Sequence, residues 1–70
     1  MIPKLSIVIP TYNEEGNIKT LLETTGKILQ SIPITFELIV EDDNSKDRTR
    51  LIIRELQKTN PQIVLIERDN

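Results

Sequence analysis

Two short polar segments carry the groups able to do chemistry. The first, Pro10-Thr11-Tyr12-Asn13-Glu14, places a fixed backbone φ, an aromatic face, a short amide and a carboxylate directly after an apolar run. Such a set suits a flat heteroaromatic base, against which Tyr12 packs while Glu14 accepts from an imino or amino edge. The second, Asp42-Asp43-Asn44-Ser45-Lys46-Asp47, follows another apolar run and offers Asp42 as acceptor for a ribose hydroxyl or a base N–H. A structural reading stands beside each. Asn13 is a good helix N-cap, Glu14 and Glu15 are first-turn charges favoured by the helix dipole, and Tyr12 is then a rim aromatic. Asp43, Asn44 and Ser45 serve equally as turn formers, Ser45 or Asp47 as a helix cap, and Asp47 as partner of Arg50 or brace of the turn. Glu41 is costly near the end of a buried strand unless it finds a partner, and a basic residue outside these 70 is the expected one.

Several chemistries are excluded. With no Cys and no His, the chain holds no structural zinc site, thiol nucleophile or imidazole base, so a metal here has to be a hard ion held by oxygen. Gly16 and Gly26 are the only glycines, and neither the G-x-G-x-x-G nor the Walker pattern is present. A pyrophosphate must therefore be met by a metal or by basic residues rather than by a Gly-rich loop. An EF-hand reading of Asp42, Asp43 and Asp47 fails, because Lys46 falls on a ligand position and the turn lacks its glycine. The net charge of -2 gives no basic footprint for nucleic acid, although Lys46, Arg48, Arg50 and Arg54 cluster around one helix. No run approaches the roughly 20 apolar residues that span a bilayer, and Met1-Ile2-Pro3-Lys4 does not open a signal peptide. The expected compartment is cytoplasmic.

The elements that must position these groups follow from periodicity. Residues 5–10 form an apolar, β-branched run that reads as a buried strand. Ile18, Leu21, Leu22, Ile28, Leu29 and Ile32 then recur at near-helical spacing, predicting a helix over about residues 15–31, with Gly26 a local weakness and Pro33 the stop. Residues 36–40 are the second strand, leading into an acidic loop over 41–44. Leu51, Ile52, Ile53 and Leu56 stripe a second helix over about 47–59, closed by Asn60-Pro61, and residues 63–66 are a third strand. The order βαβαβ specifies an α/β fold on a parallel sheet, as one small unit over residues 1–70. Right-handed crossovers moving one way across the sheet put both helices on one face. The other face is left bare although the strands are apolar on both sides, with Leu5, Ile7 and Ile9 pointing one way and Val8 the other, and Ile39 opposing Leu38 and Val40. Further chain is expected to supply helices for that face and a strand beside the first, or an oligomeric partner to cover it.

Val8-Ile9-Pro10-Thr11-Tyr12-Asn13-Glu14-Glu15 and Asp42-Asp43-Asn44-Ser45-Lys46-Asp47-Arg48-Thr49, in that order and each at a strand end, resemble the opening motifs of family 2 inverting glycosyltransferases. The resemblance covers nearly the whole chain. Tyr12-Asn13-Glu14-Glu15-Gly16-Asn17-Ile18 with Asp42-Asp43-Asn44-Ser45 is most similar to the dolichol-phosphate or polyprenol-phosphate mannose synthase branch. It implies the N-terminal, nucleotide-binding part of a GT-A (nucleotide-diphospho-sugar transferase, Rossmann-like) fold, incomplete in these 70 residues. Carried over by position, Pro10, Tyr12 and Glu14 line the base, Val40 and Asp42 hold base and ribose, and Thr11 and Asp43 support them. The family's Asp-x-Asp site for Mg2+ or Mn2+ lies past the third strand, and the chain contains no Asp-x-Asp. Neither metal ligands nor catalytic residues are thus expected here, and these residues alone should transfer nothing. The implied donor is GDP-mannose or a UDP-sugar, and the implied acceptor a dolichyl or polyprenyl phosphate or a saccharide, at the cytosolic face of a membrane. Glu41 replaces an apolar residue common in the family, and Arg48 a frequent Gly.

Two other readings compete. A flavodoxin-like signalling receiver needs its acid pair after the first strand and a phosphoacceptor Asp after the third, whereas here the pair follows the second and Asp69 is the only later Asp. A small non-catalytic α/β protein or binding module, folded as an oligomer or with a partner, also fits the bare face.

Overall fold

The computed structural model describes residues 2–69. Three strands and two helices alternate: β1 (Leu5–Thr11), α1 (Ile18–Gln30), β2 (Phe36–Asp43), α2 (Thr49–Gln57) and β3 (Ile63–Arg68). The sheet is parallel in the order β1-β2-β3. Its register puts Ile7, Leu38 and Ile63 in one row, Ile9, Val40 and Leu65 in the next, and Thr11, Asp42 and Glu67 at the carboxyl ends. All three rows face the helices. Ile18, Leu22 and Leu29 of α1 and Ile53 and Leu56 of α2 close over Leu38, Val40 and Ile63. Each such side chain stabilises by about 1.5–3 kcal/mol on leaving water, as an upper estimate.

The opposite face is bare, as the crossover rule requires. Val8, Ile39 and Val64 form one row on it and Pro10, Glu41 and Ile66 the next. Val8 is 53% exposed, and Val64 and Ile66 are each 39% exposed.

Local boundaries depart from the periodicity in instructive ways. β1 runs one residue further, to Thr11, and β2 continues through Glu41 and Asp42 to Asp43 where an acidic loop was expected. Alternation explains this: Asp42 points under the helices, whereas Glu41 points to the bare face and pairs with Arg68 at 2.6 Å. The partner of Glu41 thus lies within the chain. Helix α1 starts at Ile18 rather than Glu15, with Asn17 at its N-cap position and no side-chain cap bond. Its first N–H groups, those of Asn17 and Ile18, donate to the Glu14 carbonyl at 3.0 and 2.8 Å. Asn13 does not cap α1. It takes a left-handed φ of 50°, which Asn tolerates better than most residues. Of the apolar stripes, Leu21, Ile28 and Leu51 turn outward, leaving Ile18, Leu22 and Leu29, and Ile53 and Leu56, to face the sheet.

Gly26 is buried in α1, yet no glycine of the chain needs a positive φ, and an added Cβ there meets only Gln62 Nε2, at 4.0 Å. The Gly26→Ala variant is therefore expected to be about 0.5–1 kcal/mol more stable, because it restricts the unfolded chain and favours the helix. A urea midpoint below that of the parent chain would contradict this.

Candidate functional site

Thr11 and Asp42 stand opposite each other where β1 and β2 end, both turned toward the helix layer. Asp42 is fully buried and Thr11 is nearly so. The Thr11 hydroxyl donates to Asp42 Oδ1 at 2.9 Å, and the Ser45 hydroxyl donates to the same oxygen at 2.5 Å. The Ser45 N–H donates to Oδ2 at 3.0 Å, and Arg50 Nε does so at 2.6 Å. Four donors thus meet the roughly four acceptor positions of one carboxylate. Arg50 reaches further, to Asp69 Oδ1 at 2.9 Å, the Arg68 carbonyl at 3.2 Å and Glu67 Oε2 at 3.7 Å, while Arg54 also pairs with Glu67.

Burial alone pushes the Asp42 carboxyl up, but the bonds from Ser45, Arg50 and Thr11 outweigh it and hold the pKa down at about 2, against an ordinary 3.8. A carboxylate depressed in the fold stabilises it fully above 3.8, and that stability is lost as pH falls through 2. The difference corresponds to about 2 kcal/mol. Asp47 shifts the same way, since bonds from Thr49 and from the Glu15 amide overcome its desolvation. Urea unfolding followed from pH 6 downward should show stability falling below about pH 4. A flat profile there would mean that Asp42 is not held as described.

The loop after β1 is laced to the loop after β2. Asn13 N–H donates to Ser45 Oγ at 2.9 Å, Glu14 N–H to Thr49 Oγ1 at 2.8 Å and Glu15 N–H to Asp47 Oδ2 at 3.2 Å. In return Lys46 N–H donates to the Asn13 amide oxygen at 2.8 Å. Ser45 and Thr49 act in both directions, because each hydroxyl accepts from the first loop and donates to a carboxylate, Asp42 or Asp47. Asp47 also accepts the Thr49 N–H at 2.9 Å and so ties the start of α2, which settles its role as a brace; Arg50 pairs with Asp42 instead. Three consecutive backbone donors of the first loop are thereby committed to side chains. They do not form an open cradle for phosphate.

The sequence-nominated residues divide by exposure. Pro10 and Glu14 are exposed and Tyr12 is 57% exposed, on the loop that Ser45, Asp47 and Thr49 hold in place. Thr11 and Asp42 are brought into direct contact. Val40 is buried in the core, two residues before Asp42 on β2. Asp43 ends β2 opposite Arg68. Arg50, Ser45 and Thr49 carry more of the geometry than spacing suggested. For Ser45 and Thr49 a signal lay in the alternation Ser45-x-Asp47-x-Thr49, which sets three oxygen-bearing side chains at every second position.

Among the described residues no group of three acidic side chains is placed to hold a metal ion. The Asp42 oxygens are already taken by hydrogen-bond donors, so the residues present do not fit a divalent cation. No helix of the described residues is long and apolar enough to cross a membrane.

The model of Glycosyl transferase family 2 matches residues 6–70. A GalNAc(5)-diNAcBac-PP-undecaprenol beta-1,3-glucosyltransferase of Campylobacter jejuni is 40% identical over 63 residues, which are 89% of this chain and 19% of that protein. A dolichol-phosphate mannosyltransferase of Pyrococcus furiosus is 39% identical over 62 residues, 89% of this chain and 17% of that one. Among solved structures, a mannosyltransferase from Pyrobaculum calidifontis in complex with GDP-mannose and Mn2+ superimposes with a TM-score of 0.67 at 26% identity, over 97% of this chain and 20% of its own. The chain spans about a fifth of the length of the relatives it matches.

Proposed function

This chain belongs to glycosyl transferase family 2, and from that premise we propose that the crevice between the β1–α1 and β2–α2 loops takes the nucleotide of a sugar-nucleotide donor. Its three-stranded parallel α/β sheet is part of a GT-A fold. In this reading Pro10, Tyr12 and Glu14 line the base, and Val40 and Asp42 hold base and ribose from below. Thr11 fixes Asp42 and Asp43 supports the strand end. The observation that carries it is the lacing of the two loops, which fixes an exposed aromatic and a carboxylate above two adjoining strand ends before any ligand arrives.

The complete enzyme transfers the sugar, with mannose from GDP-mannose as the leading donor and a UDP-sugar as the other, to a dolichyl or polyprenyl phosphate or a saccharide. Support comes from what the similar proteins are named for: an undecaprenol-linked saccharide in one, dolichol-phosphate in another and bound GDP-mannose in a third. A divalent cation, Mg2+ or Mn2+, would neutralise the donor pyrophosphate from ligands outside these 70 residues. The work would take place at the cytosolic face of a membrane. Further chain or a second copy covers the bare sheet face.

Titration with GDP, UDP and, as a control, ADP, followed by amide chemical shifts, tests the nucleotide reading. The expected result is a saturable response to GDP or UDP centred on residues 11–15 and 42–45. Tyr12→Ala should weaken binding about tenfold through lost stacking, with little change in melting temperature because Tyr12 is largely exposed. Shifts confined to other parts of the sheet, or no response at all, would reject the site.

A further inference from the structure

Asp42 poses a physical problem for the nucleotide reading, on which this inference rests. Its carboxylate is out of solvent and all of its acceptor positions are filled by the chain's own donors. A ribose hydroxyl or base N–H reaches it only by displacing one of them. The four are not equally replaceable. The Ser45 N–H belongs to the loop backbone, and the Ser45 hydroxyl also accepts from Asn13, so releasing either loosens the lacing between loops. Thr11 is almost fully buried, and without Asp42 its hydroxyl loses its acceptor.

Arg50 differs from all of these. Its side chain is 17% exposed, at the rim of the cluster, and it already touches three other acceptors: Asp69 Oδ1 at 2.9 Å, the Arg68 carbonyl at 3.2 Å and Glu67 Oε2 at 3.7 Å. A guanidinium with five N–H donors gives up its bond to the Asp42 carboxylate, with the longer one to the Asp42 carbonyl at 3.5 Å, and keeps those to Glu67, Arg68 and Asp69. The positive charge stays beside the site, so Asp42 remains ionised and accepting.

We propose that Arg50 is the exchangeable partner of Asp42, holding the acceptor position that a hydroxyl or N–H of the donor nucleoside takes, and moving onto Asp69 and Glu67 when it does so. Arg50 is then a positioning residue that sets donor affinity through Asp42. Competition of this kind lowers the apparent affinity by the fraction of molecules in which Asp42 is released.

The test begins with the unaltered chain. The scalar coupling across the Arg50 Nε–H to Asp42 carboxylate bond is followed by NMR during titration with GDP and with UDP. The expected outcome is loss of that coupling at saturation while the Ser45 amide stays hydrogen-bonded. If a nucleotide binds at residues 11–15 and the coupling persists, the exchange is wrong and the nucleotide site stands. If neither nucleotide perturbs those residues, the site reading itself fails and the exchange with it. Arg50→Gln should bind the nucleotide about fivefold more tightly, and in the Asp42→Asn background the same change should have no effect. A purely structural Arg50 predicts weaker binding in Arg50→Gln, which would overturn the proposal.

Discussion

Asp42→Ala is expected to cost about 3–5 kcal/mol, because it removes the common acceptor of a buried cluster and strands its donors. Arg50 Nε, the Ser45 N–H and the hydroxyls of Thr11 and Ser45 all lose their partner at once. A chain of 70 residues buries only about 60% of its unfolded surface and has little stability to spare. The variant should therefore lose cooperative unfolding in urea at neutral pH. Asp42→Asn keeps the shape and one carbonyl acceptor but turns an amide toward Arg50, so an intermediate loss is expected. If Asp42→Ala unfolds within about 1 kcal/mol of the parent, the carboxylate is not what joins the two loops.

The second large effect separates the two faces of the sheet. Leu38 is fully buried between Ile7 and Ile63 in its row, under both helices. Leu38→Ala should cost about 2–5 kcal/mol, through lost transfer energy plus the cavity left behind. Val8 lies on the adjoining strand with its side chain on the other face, 53% exposed. Val8→Thr should change stability by less than about 0.5 kcal/mol. Equal costs at the two positions, measured by urea denaturation, would mean that the bare face is covered in solution.

The elements were legible in the sequence because burial writes itself into apolar spacing: three short β-branched runs and two helical stripes give the βαβαβ order, and the crossover rule puts both helices on one face. The ends were less legible, because what extends or stops an element is a partner far away in sequence. Asp and Glu disfavour strands on average, so residues 41–43 read as a loop. The structure keeps them in β2 because Arg68 meets Glu41 and four donors meet Asp42. Asn13 carries every local mark of a helix cap, but its amide oxygen caps Lys46 on the neighbouring loop. Leu51 kept the stripe pattern and still faces out, since α2 has only nine residues and its buried arc is filled by Thr49, Ile53 and Leu56. The two polar loop motifs were visible as residue types; the lacing that fixes their geometry was not.

Strand order has a consequence for how the molecule is made. Every strand pairs with its sequence neighbour, and the bonds that join the two loops link residues 32 to 35 positions apart. On a ribosome adding about 5–20 residues per second, each strand meets its partner as soon as it emerges. The first two loops acquire all of the bonds that join them once Thr49 is out, before β3 exists. Arg50 then has only Asp42 to hold. Its other acceptors, at Glu67, Arg68 and Asp69, emerge later with the end of β3, so completion of that strand converts a fixed clamp into one with somewhere else to go.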